Sequence, residues 1–447
     1  MTFPTNAPCL AEAAPPLAMQ TKIERLPQEL IDLIVVHLSL QDRQTLRLVS
    51  KQLYALTFTT FSNTYFSRRV TTLGVPSLSR LVKTSAHPNL SSCVSLIDVK
   101  LLNYEDYGNL REIDRVGIYP PPKRLQRVPQ VRTTTGDISQ ECKLLDYMHT
   151  HRDPKAVIHP LSRALKGFRN VKTIRFRVNG LTLYGNPYIS AEDEVYQSFL
   201  SACFRAVLDA IIRSGVRLQE FTLVKGHTIR PLSKSANLDY SAFNLPVPFL
   251  LSLKSAFASL KSLRLSIRTY HNGNSRIAGW EKGISHVIAA ASSLEELTIC
   301  LQATDSKPWF RAAVIQNICR SLELPMLKSL QLYGCVVDEL DLIALIKTHA
   351  SSLQRLLISD TELRSGTWLS ILNIFKEDLD LDLLRLQYLQ QNAAPRVIRW
   401  FPDGIRNSSK LNIDARKIRD QCWMKERLSQ AISSLAATAE EHEISEI

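Results

Sequence analysis

Seven times between Val171 and Leu386 the chain repeats one apolar phase, an apolar residue, two others, an apolar residue, one other, an apolar residue. Val171-x-x-Ile174-x-Phe176, Leu218-x-x-Phe221-x-Leu223 and Leu260-x-x-Leu263-x-Leu265 come first. Leu294-x-x-Leu297-x-Ile299, Leu327-x-x-Leu330-x-Leu332, Leu353-x-x-Leu356-x-Ile358 and Leu381-x-x-Leu384-x-Leu386 follow. Their starts lie 47, 42, 34, 33, 26 and 28 residues apart. Alternate residues of a strand point to opposite sides, so each phase predicts a short strand with its apolar residues turned inward. Helical patterns fill the intervals, at Tyr196–Arg213, Ile284–Ala291, Pro308–Ser321 and Glu339–His349. One strand and one helix close no core, so neighbouring units must stack. The expected fold is a mixed α+β or α/β solenoid over residues 166–392. An ordinary α/β sheet is the other reading, but such a sheet has no need to keep the phase.

A second pattern occupies Ile23–Arg69. Pro27 fits the start of a helix, and Glu29 sits in its positive first turn. Leu30, Ile31, Ile34 and Leu38 recur at helical spacing, while Leu33, Val35 and Val36 make the segment apolar nearly all round. A helix of that kind must be covered on every side. Ser39 and Asp42 form a capping signal for a further helix, along which Leu46, Val49, Leu53 and Leu56 make an apolar seam. Two or three helices of this size bury too little surface to stand alone, so a partner or the rest of the chain must complete them.

Between the two patterns, residues 70–165 predict a helix around Leu78, Leu81 and Val82, a turn at His87-Pro88, and a strand at Val94–Val99. Tyr119–Arg132 is basic and proline-rich, and reads as a solvated surface insertion, with a basic import or docking segment as the other reading. The first 21 residues lack the charge and apolar pattern of a signal peptide and read as a disordered tail. Residues 393–447 leave the repeat. Asn412–His442 is helical in composition and predicts a cap on the open end, with an acidic tail at Glu440-Glu441-His442-Glu443.

Composition adds less. With 447 residues, 45% apolar and 22% charged, the chain is of ordinary globular type, and no run of 18 apolar residues predicts a membrane span. Its net charge of +13 favours acidic partners and makes a basic, nucleic-acid-binding scaffold a rival, although only 7% of residues are aromatic. Eight scattered cysteines without a Cys-x-x-Cys pair predict reduced thiols and a cytoplasmic or nuclear location. No glycine-rich phosphate loop, Gly-x-Ser-x-Gly or His-Glu-x-x-His motif occurs, so no catalytic residue and no cofactor is expected. His149-x-His151 near Cys142 lacks a fourth metal ligand, and the acidic run Glu377–Asp382 reads as a solvated strand edge.

Two resemblances turn these patterns into an expectation. Leu26-Pro27-x-Glu29-Leu30-x₃-Ile34-x₃-Leu38-Ser39-x₂-Asp42-x₃-Leu46-Arg47-Leu48-Val49-Ser50-Lys51-x-Leu53-Tyr54 resembles an F-box of the form common in fungal proteins. Arg43 departs from it, since the family usually has an apolar residue after the aspartate. The seven phases, with Leu332-Tyr333-Gly334-Cys335 ending one of them, resemble irregular leucine-rich repeats. The F-box resemblance implies docking on the Skp-type adaptor of a cullin–RING (SCF) ubiquitin ligase through Leu26, Pro27, Ile31, Leu30, Ile34, Leu38, Leu46, Val49 and Leu53. The repeats would then bind a protein substrate through outward strand residues: Arg175, Arg177, Glu220, Thr222, Arg264, Ser266, Glu296, Thr298, Gln331, Tyr333 and Arg355. Catalysis would belong to other subunits. An adaptor-bound or free repeat scaffold without ubiquitin transfer is the alternative.

Overall fold

The computed structural model describes residues 22–116, 142–178, 194–224, 237–268, 281–302, 308–391, 410–414, 424–433 and 435–436. The predicted N-terminal tail, the proline-rich insertion and the acidic tail lie outside the described residues. The chain divides into two compact units, Met1–Ser67 and Arg68–Ile447.

The first unit is helical. A 3-10 turn at Lys22–Arg25 leads to α1 (Gln28–His37), α2 (Leu40–Val49) and α3 (Lys51–Phe66). Pro27 stands one position before α1, and its carbonyl accepts from the Leu30 and Ile31 N–H groups at 3.1 and 3.2 Å. Ser39 caps α2, accepting from Asp42 N–H at 3.2 Å and donating to the Asp42 carboxylate at 2.7 Å. The seam from Leu46 to Leu56 is not one helix. Ser50 adopts extended backbone between α2 and α3, and its hydroxyl caps α3 by accepting from Leu53 N–H at 3.1 Å.

The second unit is a sheet covered by helices. Its larger sheet runs in the order β1 (Arg68–Thr72), β2 (Leu96–Leu101), β3 (Thr173–Val178), β4 (Glu220–Thr222), β6 (Ser262–Arg268), β7 (Glu296–Gln302), β8 (Ser329–Tyr333), β10 (Arg355–Ser359), β12 (Leu383–Gln387) and β14 (Lys410–Asp414), with short β5 (Leu238–Asp239) beside β6. All pairs are parallel except the last, where β14 runs antiparallel to β12. Strand order follows chain order without a reversal. The helices α4 (Val75–Ala86), α6 (Ile158–Gly167), α7 (Glu194–Ser214), α8 (Val247–Ala256), α9 (Lys282–Ala289), α10 (Pro308–Ser321), α11 (Glu339–His349) and α12 (Trp368–Asp378) pack side by side in chain order too, while α5 (Tyr104–Val116) follows β2.

All seven apolar phases fall on this sheet, in mutual register. Their inward residues are no more than 4% exposed, and Phe176, Phe204, Phe221 and Phe257 fill the wider early units with ring contacts of 5.7–6.1 Å. Each unit also enters the sheet in the same way. The carbonyl after each leading apolar residue accepts two N–H groups from the next unit, at 2.8–3.2 Å. Ser95, Lys172, Gln219, Lys261, Glu295, Lys328 and Gln354 all do so. Ser95 reveals an eighth copy, Val94-x-x-Ile97-x-Val99, so the strand expected at Val94–Val99 is a member of the same sheet, which extends beyond the expected repeat region.

The last three copies share a further step. Gly334, Asp360 and Tyr388 follow their strands with φ of +67°, +49° and +52°, and each left-handed residue turns the chain into a second strand. Those strands, β9 (Val336–Asp338), β11 (Glu362–Ser365) and β13 (Gln390–Gln391), form a small parallel sheet of their own. Cys335, Thr361 and Leu389 fill the same buried place after the turn, each at most 1% exposed. The tail differs from expectation. Asn412 lies in β14, where Leu411 and Ile413 are buried, and among the described residues of the tail helix is found at 424–433 and 435–436. Among the described residues α7 is the one helix long and apolar enough to cross a membrane, and eleven of its side chains are buried within the unit.

Candidate functional site

Two surfaces matter, one on each unit. In the first unit, α1 buries only Ile31 and Val35, at 2% and 0% exposure. Helix α1 packs on α3, whose Leu53, Thr57 and Phe61 are buried as well. Helix α2 buries a single residue, and that residue is Arg43. Its guanidinium donates to the Leu38 and Val36 carbonyls at 2.9 and 2.8 Å, satisfying groups that the end of α1 leaves without helical partners. It also lies 5.4 Å from the Tyr65 ring centre. Arg47, one turn on, sits 3.9 Å from the Phe61 centroid and 4.5 Å from that of Tyr54. Thus α2 is attached by two arginines laid on the aromatic side of α3. Arg43, which departs from the expected pattern, thus acts as a hydrogen-bonding clamp.

This construction leaves aliphatic side chains outside. Of the seventeen large hydrophobic residues exposed in the described chain, eight belong to this small unit: Leu30, Leu33, Ile34, Val36, Leu40, Leu48, Val49 and Tyr54. Their exposures run from 39% at Ile34 to 86% at Leu48. Density of that kind marks a surface built for apolar contact. Of the residues expected to touch an adaptor, Pro27, Leu30, Ile34 and Val49 are exposed, and Leu26, Leu38 and Leu46 are half-buried. Ile31 and Leu53 are both 2% exposed, so they hold the unit together and offer nothing to a partner. Leu33, Val36, Leu40, Leu48 and Tyr54 were absent from the expected set. The signal for the two α1 residues was present in the apolar character of that helix on all sides.

The outward face of the sheet is more occupied than its sequence suggests. Arg177, Thr222, Ser266 and Thr298 are only 7%, 2%, 0% and 8% exposed, which corrects the expectation that they project as ligand contacts. Arg177 is committed internally, its Nε donating to the fully buried Asp98 carboxylate at 2.7 Å and its Nη2 to the other oxygen. Arg68 donates to the same carboxylate. The Thr222 hydroxyl closes a local turn, donating to the Val224 carbonyl at 3.0 Å, and the Ser266 hydroxyl donates to Asn237 at 2.6 Å. Arg175, Glu220, Arg264, Glu296, Gln331, Tyr333 and Arg355 keep partial exposure. Glu296 is shared by Arg264 at 3.6 Å and Arg355 at 2.7 Å. One register position outward, Glu295 bridges Lys261 and Lys328, both at 2.9 Å, and these ammonium groups hold its carboxyl below the usual range.

Four of the described thiols belong to the core. Cys203, Cys300, Cys319 and Cys335 are buried and unpaired, and burial raises all four, Cys300 and Cys319 to about 12. Among the described residues no group of three His, Cys, Asp or Glu side chains is arranged to hold a metal.

No curated protein matches the chain. Residues 23–58 match the family model of the F-box domain, a stretch that begins in the 3-10 turn and ends midway along α3. The clamp at Arg43, the capped α2 and the exposed aliphatic surface all belong to that match, and the chain carries an F-box domain at residues 23–58.

Proposed function

We propose that the chain is the substrate-recognition subunit of a cullin–RING (SCF-type) ubiquitin ligase. Its F-box docks on a Skp-type adaptor, which joins it to the cullin and RING subunits. The second unit, an irregular leucine-rich-repeat solenoid, holds a protein substrate, and the chain itself performs no catalysis. The observation that carries this reading is the F-box match at residues 23–58, borne by a unit whose aliphatic side chains face outward. A groove between adaptor helices is the kind of surface such side chains fill. Support for the repeat reading comes from eight copies of one phase on consecutive parallel strands and from buried Cys335 after a left-handed turn.

Co-purification with the adaptor tests the proposal. Leu30 and Val49 are 46% and 64% exposed, so a Leu30→Asp/Val49→Asp variant keeps its fold. Wild type should form a one-to-one complex that also retains the cullin. The variant should bind the adaptor at least 30-fold more weakly, as loss of anchors worth about 2 kcal/mol or more requires. Adaptor binding that survives the double substitution overturns the docking surface. Adaptor binding without cullin retention overturns the ligase role and leaves a scaffold.

A further inference from the structure

The outward face of the first three strands differs from the rest of the sheet in its charge. Arg68, Val70 and Thr72 of β1 lie in register with Leu96, Asp98 and Lys100 of β2, and these with Thr173, Arg175 and Arg177 of β3. Four of those nine side chains are cationic and one is anionic, a local charge of 4 − 1 = +3. The single anion is unavailable, because Asp98 is fully buried between Arg177 and Arg68. Arg175, directly beside Asp98 in the register, is half-buried, and its guanidinium has no hydrogen-bond or ion-pair partner among the described residues. The Lys100 ammonium, one diagonal step away on β2, is half-buried and likewise without a partner among the described residues. Farther along the sheet the charges are already matched, since Glu296 takes both Arg264 and Arg355.

We propose that this face receives an extended acidic segment of a protein, with carboxylates at alternate positions, one on Arg175 and one on Lys100. The inference rests on the repeat unit being the substrate-binding part. Neighbouring strands stand about 4.8 Å apart and two residues of a strand about 6.6 Å, so the two cations are roughly 8 Å apart at their backbones. Same-side residues of an extended peptide are about 6.8 Å apart, a spacing these long side chains bridge. Three strands span about 10 Å, enough for two anionic groups. A nucleic acid, with a charge at every step, would next meet Glu220 on β4 and Glu296 on β7. A short acidic peptide ends before them.

Fluorescence anisotropy with the full-length chain decides the matter. The probes are a labelled twelve-residue Gly/Ser peptide with a central Asp-Ser-Asp, its Asn-Ser-Asn counterpart, a version with phosphoserine in place of both aspartates, and a twelve-nucleotide single-stranded DNA. The Asp peptide should bind wild type at least tenfold more tightly than the Asn peptide. That preference should vanish in Arg175→Gln/Lys100→Gln, return in part in Arg175→Lys, and change less than twofold in Arg355→Gln. Equal binding of the Asp peptide by wild type and double variant overturns the proposal, as does no binding by wild type. Binding of the phosphopeptide or DNA tenfold tighter than the Asp peptide, lost in the double variant, assigns the face to another ligand and also overturns it. The double variant must keep adaptor co-purification. If wild type itself lacks the adaptor, the ligase reading fails while the peptide result stands.

Discussion

The pair Asp98 and Arg177 makes a demanding test of how the sheet is held together. Asp98 is 0% exposed at its side chain and Arg177 9%, and two donors of one guanidinium meet both carboxylate oxygens. Replacing Asp98 by Leu leaves a buried cation uncompensated, a change that costs about 3–5 kcal/mol. Arg68, 49% exposed, returns to water when its partner goes, so Arg68→Ala costs only about 0.5–1 kcal/mol. The double variant Asp98→Leu/Arg177→Met removes both charges and leaves apolar atoms in their place, and it should recover most of the loss. All five tryptophans lie beyond residue 67, so urea unfolding followed by tryptophan fluorescence of the whole chain reports on the second unit alone. For a slope of about 3 kcal/mol/M, Asp98→Leu lowers the midpoint by about 1–1.7 M. A double variant as unstable as the sum of its single variants, with no coupling between them, refutes the reasoning.

Two other expectations follow from particular residues. Gly334 has φ of +67°, and a Cβ there would overlap the Leu301 carbonyl oxygen, so Gly334→Ala should lower the same urea midpoint by an amount equivalent to about 1–3 kcal/mol, whereas Gly108→Ala, with open space around it, should raise it slightly or leave it unchanged. His151, on a helical turn at Met148–Arg152, packs on Tyr107 at 5.4 Å with its Nε2 3.5 Å from Asp114. Desolvation pulls its pKa down more than Asp114 restores it, with Arg111 and Arg152 adding to the fall. The unfolded chain then takes up the proton first as pH drops. This stabilisation is complete above the ordinary histidine range and is lost as pH falls through the folded value. Thermal unfolding at pH 8 and pH 5.5 should show a larger drop for wild type than for His151→Gln, and equal drops would refute the assignment.

The parts of the fold that could be read from sequence are those governed by one period. The Leu-x-x-Leu-x-Leu phases were legible because inward positions tolerate only apolar side chains, and Pro308–Ser321 and Glu339–His349 fall at their predicted bounds. Val94-x-x-Ile97-x-Val99 carries the same phase but stands 77 residues before the next copy, outside any regular spacing (171 − 94 = 77). The small sheet of β9, β11 and β13 is not legible in the sequence, since strands of two to four residues leave no periodic trace. In Lys410–Asp414 the alternation of Leu411 and Ile413 was too short to outweigh the helical composition of the tail. The outward face was legible in direction but not in exposure. Thr222, Ser266 and Thr298 point away from the core, yet small side chains on a tightly packed sheet are shielded by their neighbours, and Arg177 is drawn in by Asp98. Arg43 was visible as an anomaly, while its purpose depends on where the Val36 and Leu38 carbonyls end α1.

The sequential order of the strands has a kinetic meaning. From β1 through β12 each strand of the larger sheet pairs with those nearest it in the chain, and the last three parallel pairs bring together residues only 33, 26 and 28 positions apart (329 − 296, 355 − 329 and 383 − 355). Loop closure over such distances is entropically mild, and pairing by near neighbours favours fast folding. A chain leaving the ribosome can therefore add one strand and one helix at a time onto a template already in place, the longest wait being that of β2 for β3, 77 residues on (173 − 96). The antiparallel β14 arrives last and takes the edge of β12 that every earlier strand offered to its successor. Assembly thus has a direction, and it ends where the chain turns back on itself.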